Sequence, residues 1–264
     1  HRYMPITEVA EVEAHPDIRA SISSSTGYIH MAMDVTVAPF DNKLVRQAIQ
    51  AVTDREAINQ ACLLGKGIIA YDHPISPVDP HFNAEAKPPD YNPELARELL
   101  EQAGYPDGID ITLYTSTNPG APMLEMATVM KEKAAAGGIR IDLQVMPEAT
   151  YWSEVWLVKP CFTSYWAGRT VDAALSVSVL STAGWQESNY NNPRVDELII
   201  LARSQVKLED RQETYGELQA ILIDEVPRII PVFQLIVNGM GNNVQGLESE
   251  PCAWFWCRYA WLDN

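Results

Sequence analysis

Between Pro39 and Cys62, apolar positions recur at helical spacing: Leu44, Val45, Ala48, Ile49 and Val52, then Ile58 and Cys62 after a polar break. Pro39 ends the extended segment before it, and Asp41 or Asn42 can cap the following helix by accepting a backbone N–H. Thr53-Asp54 offers a second cap, so the pattern predicts two amphipathic helices stopped at Gly65-Lys-Gly67. Asn92-Pro93-Glu94 starts another helix, with Leu95, Leu99, Leu100 and Ala103 as its buried stripe and Gly104 as its end. After a Tyr105-Pro-Asp-Gly108 turn, Ile109, Ile111 and Leu113 alternate with polar residues as a strand does. Met123 to Ala136 reads as helix and Ile139 to Val145 alternates again. Strand, helix and strand at this spacing form a βαβ unit, expected to cross over right-handed.

The flanks are less regular. Val9, Val12, Ile18, Ile22 and then Tyr28 to Met33 suggest a helix followed by strands. Five prolines between residues 71 and 92 predict a loop. Residues 148 to 157 read as helix, Cys161 to Trp166 as a buried strand, and a short helix follows. Asn192-Pro193 opens a helix with Val195, Leu198, Ile199 and Ala202 inward. Another helix runs from about Leu208 to Glu225, where Pro227 stops it. Arg228 to Val237 reads as a strand, and an irregular, aromatic tail follows from Asn238. Mixed helices and strands of this kind predict an α/β fold.

Composition narrows the function classes. Hydrophobic residues make up 47% of the 264, enough for a sizeable core. The net charge of -16 argues against nucleic acid and anionic membrane surfaces as partners. No apolar run reaches the length of a membrane span. No signal peptide is visible, and a chain opening at His1 is expected to be a processed or truncated piece. The five histidines show no metal-ligand spacing. Cys252 and Cys257 are close enough for a short-loop disulfide, and equally compatible with free thiols. There is no Gly-x-Ser-x-Gly elbow, His-Glu-x-x-His or phosphate-binding Walker loop, and His73 and His81 have no evident partner for hydrolysis. Neither a catalytic residue nor a cofactor or metal is expected.

The wording of several segments is more specific than their periodicity. Pro39-Phe-Asp-Asn42, Val45-Arg-Gln-Ala-Ile49 and Asp54-Arg-Glu-Ala-Ile58 resemble the signature of the extracytoplasmic solute-binding proteins of the oligopeptide, dipeptide and nickel ABC-transporter family. Asp90 to Leu100 with Ala103 to Gly108, Asn189 to Leu198, Glu213 to Glu225 and Ile230 to Phe233 resemble later landmarks of that family. The order holds over about 200 residues. The resemblance implies a type II, two-lobed periplasmic-binding-protein architecture. Residues 1–33 would be a short segment of lobe one, 34–236 lobe two, and 237–264 the return to lobe one. It implies capture of a peptide-like or anionic small solute in an interlobe cleft, with delivery to a membrane permease. The protein would be a periplasmic or otherwise extracytoplasmic monomer. A receptor for a metal chelate, an opine or another non-peptide solute is the alternative. Family members are considerably longer, and most of lobe one would precede His1.

The resemblance places ligand contacts in the loop after an aromatic strand, here Thr163 to Asp172. Tyr165 and Trp166 offer flat apolar surface, or simply core. Gly168 lets backbone approach a ligand. Arg169 presents a fork of donors suited to a carboxylate or phosphate, or to a structural acid. Many peptide binders of the family carry at that position an Asp that pairs with the ligand's α-amino group. Arg169 implies that this amine site is gone or moved. Asp172 falls on the family's second acidic position, and Trp185 is a further wall candidate. Asn118-Pro-Gly120 opens a helix whose N–H groups could bind an anion, or merely caps it. The aromatic tail around Trp254, Phe255, Trp256, Tyr259 and Trp261 is expected to pack on lobe one.

Overall fold

The computed structural model describes residues 4–118, 121–252 and 255–263. A short helix α1 (Val9–Glu13) leads into a long strand, β1 (Ile18–Met33). The two predicted amphipathic helices follow as α2 (Lys43–Ala51) and α3 (Arg55–Leu63). Asn42 accepts from the Leu44 N–H and Asp54 from the Ala57 N–H, so both caps form. The stop after α3 is made by Leu64 at φ 53° with Gly65 at φ 73°.

Next come β2 (Ile68–Ile69) and a loop in the Pro-rich stretch, then α4 (Pro93–Gln102) capped by Asn92. β3 (Ile109–Ser116), α5 (Met123–Ala134) and β4 (Ile139–Met146) form the expected βαβ unit. Its strands are parallel, in register from Ile109 opposite Ile139 to Ser116 opposite Met146. The chain continues through α6 (Glu148–Glu154), β5 (Cys161–Trp166), α7 (Val171–Ser178), α8 (Pro193–Ser204) and α9 (Leu208–Glu225) to β6 (Arg228–Gly241). Two-residue strands pair in the tail.

Six strands form one sheet in the order β2-β6-β1-β5-β3-β4. Successive side chains of β1 serve opposite faces, as strand geometry requires. Ile29, Met31 and Met33 join the core built with Val45, Ile49 and Met126 from α2 and α5. Tyr28 packs instead with Trp166, Ile230 and Phe233. A further cluster ties α7, α8 and α9 together through Leu175, Ile199 and Leu218.

Two expectations need correction. Ile18 and Ile22 belong to a strand, and β1 is one continuous element rather than several. Their local sequence, Ile18-Arg-Ala-Ser-Ile-Ser-Ser, carries a weak signal, and long-range pairing decides it. Ile18 to Ser24 pairs with Gly241 back to Leu235 on β6. The same pairing extends β6 four residues beyond Val237 into what reads as irregular tail. A register shift between Ser24 and Tyr28 separates this outer ribbon from the inner sheet, where Tyr28 to Met33 also pairs with β5. The ribbon has its own small core of Met4, Ile6, Val9 and Val237. The division at 33/34 falls at the end of β1, and the one at 236/237 falls within β6.

Candidate functional site

The inner sheet, the outer ribbon and two helix ends line a half-open cavity of about 540 Å³. The end of β5 and its loop supply Tyr165 to Gly168, and β6 supplies Gln234 to Val237. Ala61 to Leu63 come from the end of α3, Pro122 and Glu125 from the start of α5, and Met4 to Thr7 close the remaining side. β5 reaches this position because its Cys161 to Ser164 stretch is wholly buried between β1 and β3, so its end is held firmly at the rim.

Of the residues singled out by sequence, Tyr165, Trp166 and Gly168 line the cavity. Trp166 is 7% exposed and donates its indole N–H to Glu187 Oε2 at 2.8 Å. It is at once core and wall. Tyr165 is half-buried and meets Trp152 edge-on, with centroids 5.7 Å apart. Gly168 has a different local reason: a Cβ there would stand 2.6 Å from the Pro251 carbonyl oxygen. The backbone that comes close is the chain's own returning tail.

Arg169 lies just outside the cavity. Its guanidinium stacks over the Trp166 ring at 4.7 Å and donates to the Ala167 carbonyl at 3.0 Å. Its backbone N–H donates to Thr26 Oγ1, and the same hydroxyl donates to its carbonyl. Among the described residues no carboxylate pairs with it. Trp185, half exposed, tilts against Trp166 at 5.9 Å and Trp156 at 6.5 Å. Asp172 is elsewhere: in the first turn of α7 it accepts from Arg203 Nε at 2.6 Å. The structure thus brings five of the six together around Trp166 and gives Asp172 a separate ion pair.

Sequence reasoning missed the group that holds this wall. Glu187 is fully buried and takes the Trp156 indole N–H on Oε1 and the Trp166 indole N–H on Oε2, each at 2.8 Å. His30 Nε2 donates to Oε2 at 2.8 Å, and Arg228 Nη1 stands 3.8 Å away. Burial alone would push this carboxyl up. The charges of His30 and Arg228 and the donated hydrogen bonds overcome it and hold Glu187 down at about 2. No local signal marks Glu187, because its partners lie far away in sequence on β1, β6 and the 151–166 segment. Two cavity residues were also missed. Cys62 reads in sequence as part of an apolar helix face, and Glu125 is one position within the Met123 to Ala136 helix. Burial, then the Glu125 charge, push the Cys62 thiol up to about 12.

Elsewhere, His73 is buried against Tyr71 and Phe82, and burial pushes it down to about 3. His81 contacts Asp79 Oδ1 at 2.6 Å. Among the described residues no group of three His, Cys, Asp or Glu is placed to hold a metal, and no helix is long and apolar enough to cross a membrane. All four cysteines are unpaired. α5 begins at Met123 rather than at Asn118, and Pro119 and Gly120 lie outside the described residues. So does Trp254, while Phe255 and Trp256 form a two-residue strand and Tyr259 and Trp261 are exposed.

Comparison with known proteins places these features in context. The family model described as bacterial extracellular solute-binding proteins, family 5 middle, matches residues 2–188. The glutathione-binding protein GsiB of Escherichia coli O1:K1 is 28% identical over 264 aligned residues, covering 94% of this chain and 50% of that protein. GsiB of Pectobacterium atrosepticum is 25% identical with the same coverage. The crystal structure of a dipeptide binding protein from Pseudoalteromonas sp. SM9913 in complex with Met-Leu superposes with a TM-score of 0.82 at 23% identity. It covers 99% of this chain and 53% of that one. The chain spans about half the length of the curated relatives it matches.

Proposed function

Because the chain belongs to the bacterial extracellular solute-binding proteins of family 5, we propose that it is the ligand-gripping part of the substrate-binding component of an ABC importer. The α/β fold matches two-lobed binding proteins over nearly its whole length. The bound solute is peptide-like or anionic, and it is handed to a membrane permease outside the cytoplasm. The observation that carries this reading is the cavity of about 540 Å³ walled by Tyr165, Trp166 and Gly168, with Arg169 stacked beside it. That volume is in the range of small-ligand sites.

In this reading residues 34–236 serve as lobe two, and the β1–β6 ribbon with the residues around it continues into lobe one. Two strands passing between bodies, with a register shift at Ser24, are suited to hinge closure around a ligand. The protein acts as a monomer and performs no chemistry on what it binds. Native mass spectrometry and calorimetry against peptides, opines and amino-acid conjugates test the proposal. Binding of at least one class at micromolar affinity or better, about 8 kcal/mol, is expected. A folded protein that binds none of them would refute it.

A further inference from the structure

The hydroxyl of Thr26 is bonded twice to one residue of the loop after β5. It accepts the Arg169 N–H at 2.9 Å and donates to the Arg169 carbonyl at 2.8 Å. The Pro251 carbonyl and the Cys252 sulfur stand farther off, at 3.3 and 3.8 Å, so the single hydroxyl proton goes to Arg169. Exchange of both bonds with one residue is what a neighbouring backbone supplies in an antiparallel ladder. Here that ladder has ended. β1 and β5 pair from Met33 opposite Cys161 to Tyr28 opposite Trp166, and the pairing of β1 with β6 then shifts register between Tyr28 and Ser24. Within the shift the Thr26 backbone N–H turns to the Pro251 carbonyl at 2.9 Å, and the side chain takes over the ladder's part. Gly27 permits the approach, since a Cβ there would stand 2.8 Å from the Trp166 carbonyl oxygen and 2.9 Å from the Gly168 nitrogen. Ser25 and Gly27 on either side line the cavity, while the Thr26 side chain points to the loop.

Resting on the binding-module reading above, we infer that Thr26 is a positioning residue of the site. Its hydroxyl fixes the Arg169 backbone so that the guanidinium stays over the Trp166 ring, 4.7 Å from its centroid. A long side chain on a released backbone would lose that single geometry to rotamer entropy. Thr26 also joins the loop to the point where the outer ribbon leaves the inner sheet, so a movement of the ribbon is transmitted to Arg169.

NMR on the full chain tests the position of Arg169 with no ligand present. Thr26→Val keeps the shape and removes the hydroxyl. It should speed exchange of the Arg169 N–H about tenfold or more, the loss of one hydrogen bond. It should also abolish the upfield ring-current shift of the Arg169 side-chain protons. Thr26→Ser restores the hydroxyl and should keep both signals. Calorimetry with Met-Leu and its C-terminal amide tests the consequence: the acid's advantage should fall to within about threefold in Thr26→Val and persist in Thr26→Ser. Circular dichroism establishes that each variant is folded. Unaltered exchange and ring-current shift in Thr26→Val overturn the positioning role. So does an acid preference that survives Thr26→Val but is lost in Arg169→Ala, since Thr26 would then be structural only. A preference that survives Arg169→Ala as well removes Arg169 from the site and the role of Thr26 with it, leaving the binding-module reading standing. If Met-Leu does not bind the unaltered protein, the peptide-acid reading fails, and the two signals from the free protein decide the placement of Arg169 alone.

Discussion

Glu187 and Trp166 are joined by a 2.8 Å hydrogen bond that ties the wall of the cavity to a carboxylate buried beneath the sheet. The second oxygen of the same carboxylate holds Trp156. Removing it strands His30 and Arg228 without their shared anion. Glu187→Ala should therefore cost about 3–5 kcal/mol of stability, the penalty for breaking a buried pair. Urea denaturation measures it. A loss within the range of an ordinary surface substitution would show that the hub contributes little.

The same group predicts an acid transition. Glu187 is held near 2 in the fold, below its ordinary value of 4.5. A carboxyl depressed on folding stabilises the native state in full above the unfolded value, and the stabilisation is lost as pH falls through the folded value. The stability gap between the native protein and Glu187→Gln should accordingly shrink as pH falls between about pH 4.5 and 2. Denaturation midpoints of both proteins across that window check it. A gap that does not change with pH would remove the ionised state of Glu187 from the account.

The fold was legible where signals are local, and the site only in part. The Asn42, Asp54, Asn92 and Asn192 caps act within three residues of themselves, and each forms. Only the Tyr28 to Met33 half of β1 was legible, because Ser21 to Ser24 has little strand character until β6 arrives from more than two hundred residues away. Around the cavity, Tyr165, Trp166 and Gly168 sit together on one short segment that sequence singles out, and all three line it. Glu125 and Cys62 lie on helices whose periodicity explains them as ordinary helix residues, so nothing in sequence marks the side facing the cavity. Glu187 becomes visible only when β1, β6 and the 151–166 segment converge on it.

Gly168 distinguishes a ligand contact from a packing contact. Besides the Pro251 carbonyl, a Cβ there would stand 3.1 Å from Cys252 Cα and from Thr26 Oγ1. Two of these neighbours are backbone and cannot swing away. Gly168→Ala is expected to destabilise the protein by about 1–3 kcal/mol through this overpacking. It should also loosen the returning tail, which hydrogen exchange at the Thr26 N–H, bonded to the Pro251 carbonyl at 2.9 Å, reports directly. An unaltered exchange rate and midpoint would mean the tail is not seated on Gly168.

Arg169 offers the sharpest test of the cleft itself. Its guanidinium rests on Trp166 and, among the described residues, donates to one acceptor, the Ala167 carbonyl, so most of its donors remain for a ligand. A ligand carboxylate or phosphate placed there would gain a charge-assisted fork. Arg169→Ala should weaken an acid-bearing probe such as Met-Leu about tenfold or more, while its C-terminal amide loses little. Arg169→Lys should recover only part of the loss, because an ammonium cannot bond in the bidentate geometry or stack on the indole as a guanidinium does. Arg169→Asp should be worse than Ala for the acid. Calorimetry with the acid and amide forms separates these outcomes from a general loss of fold, which would weaken both probes alike. Equal affinity of the native protein and Arg169→Ala for the acid would show that the solute does not reach the Trp166 face.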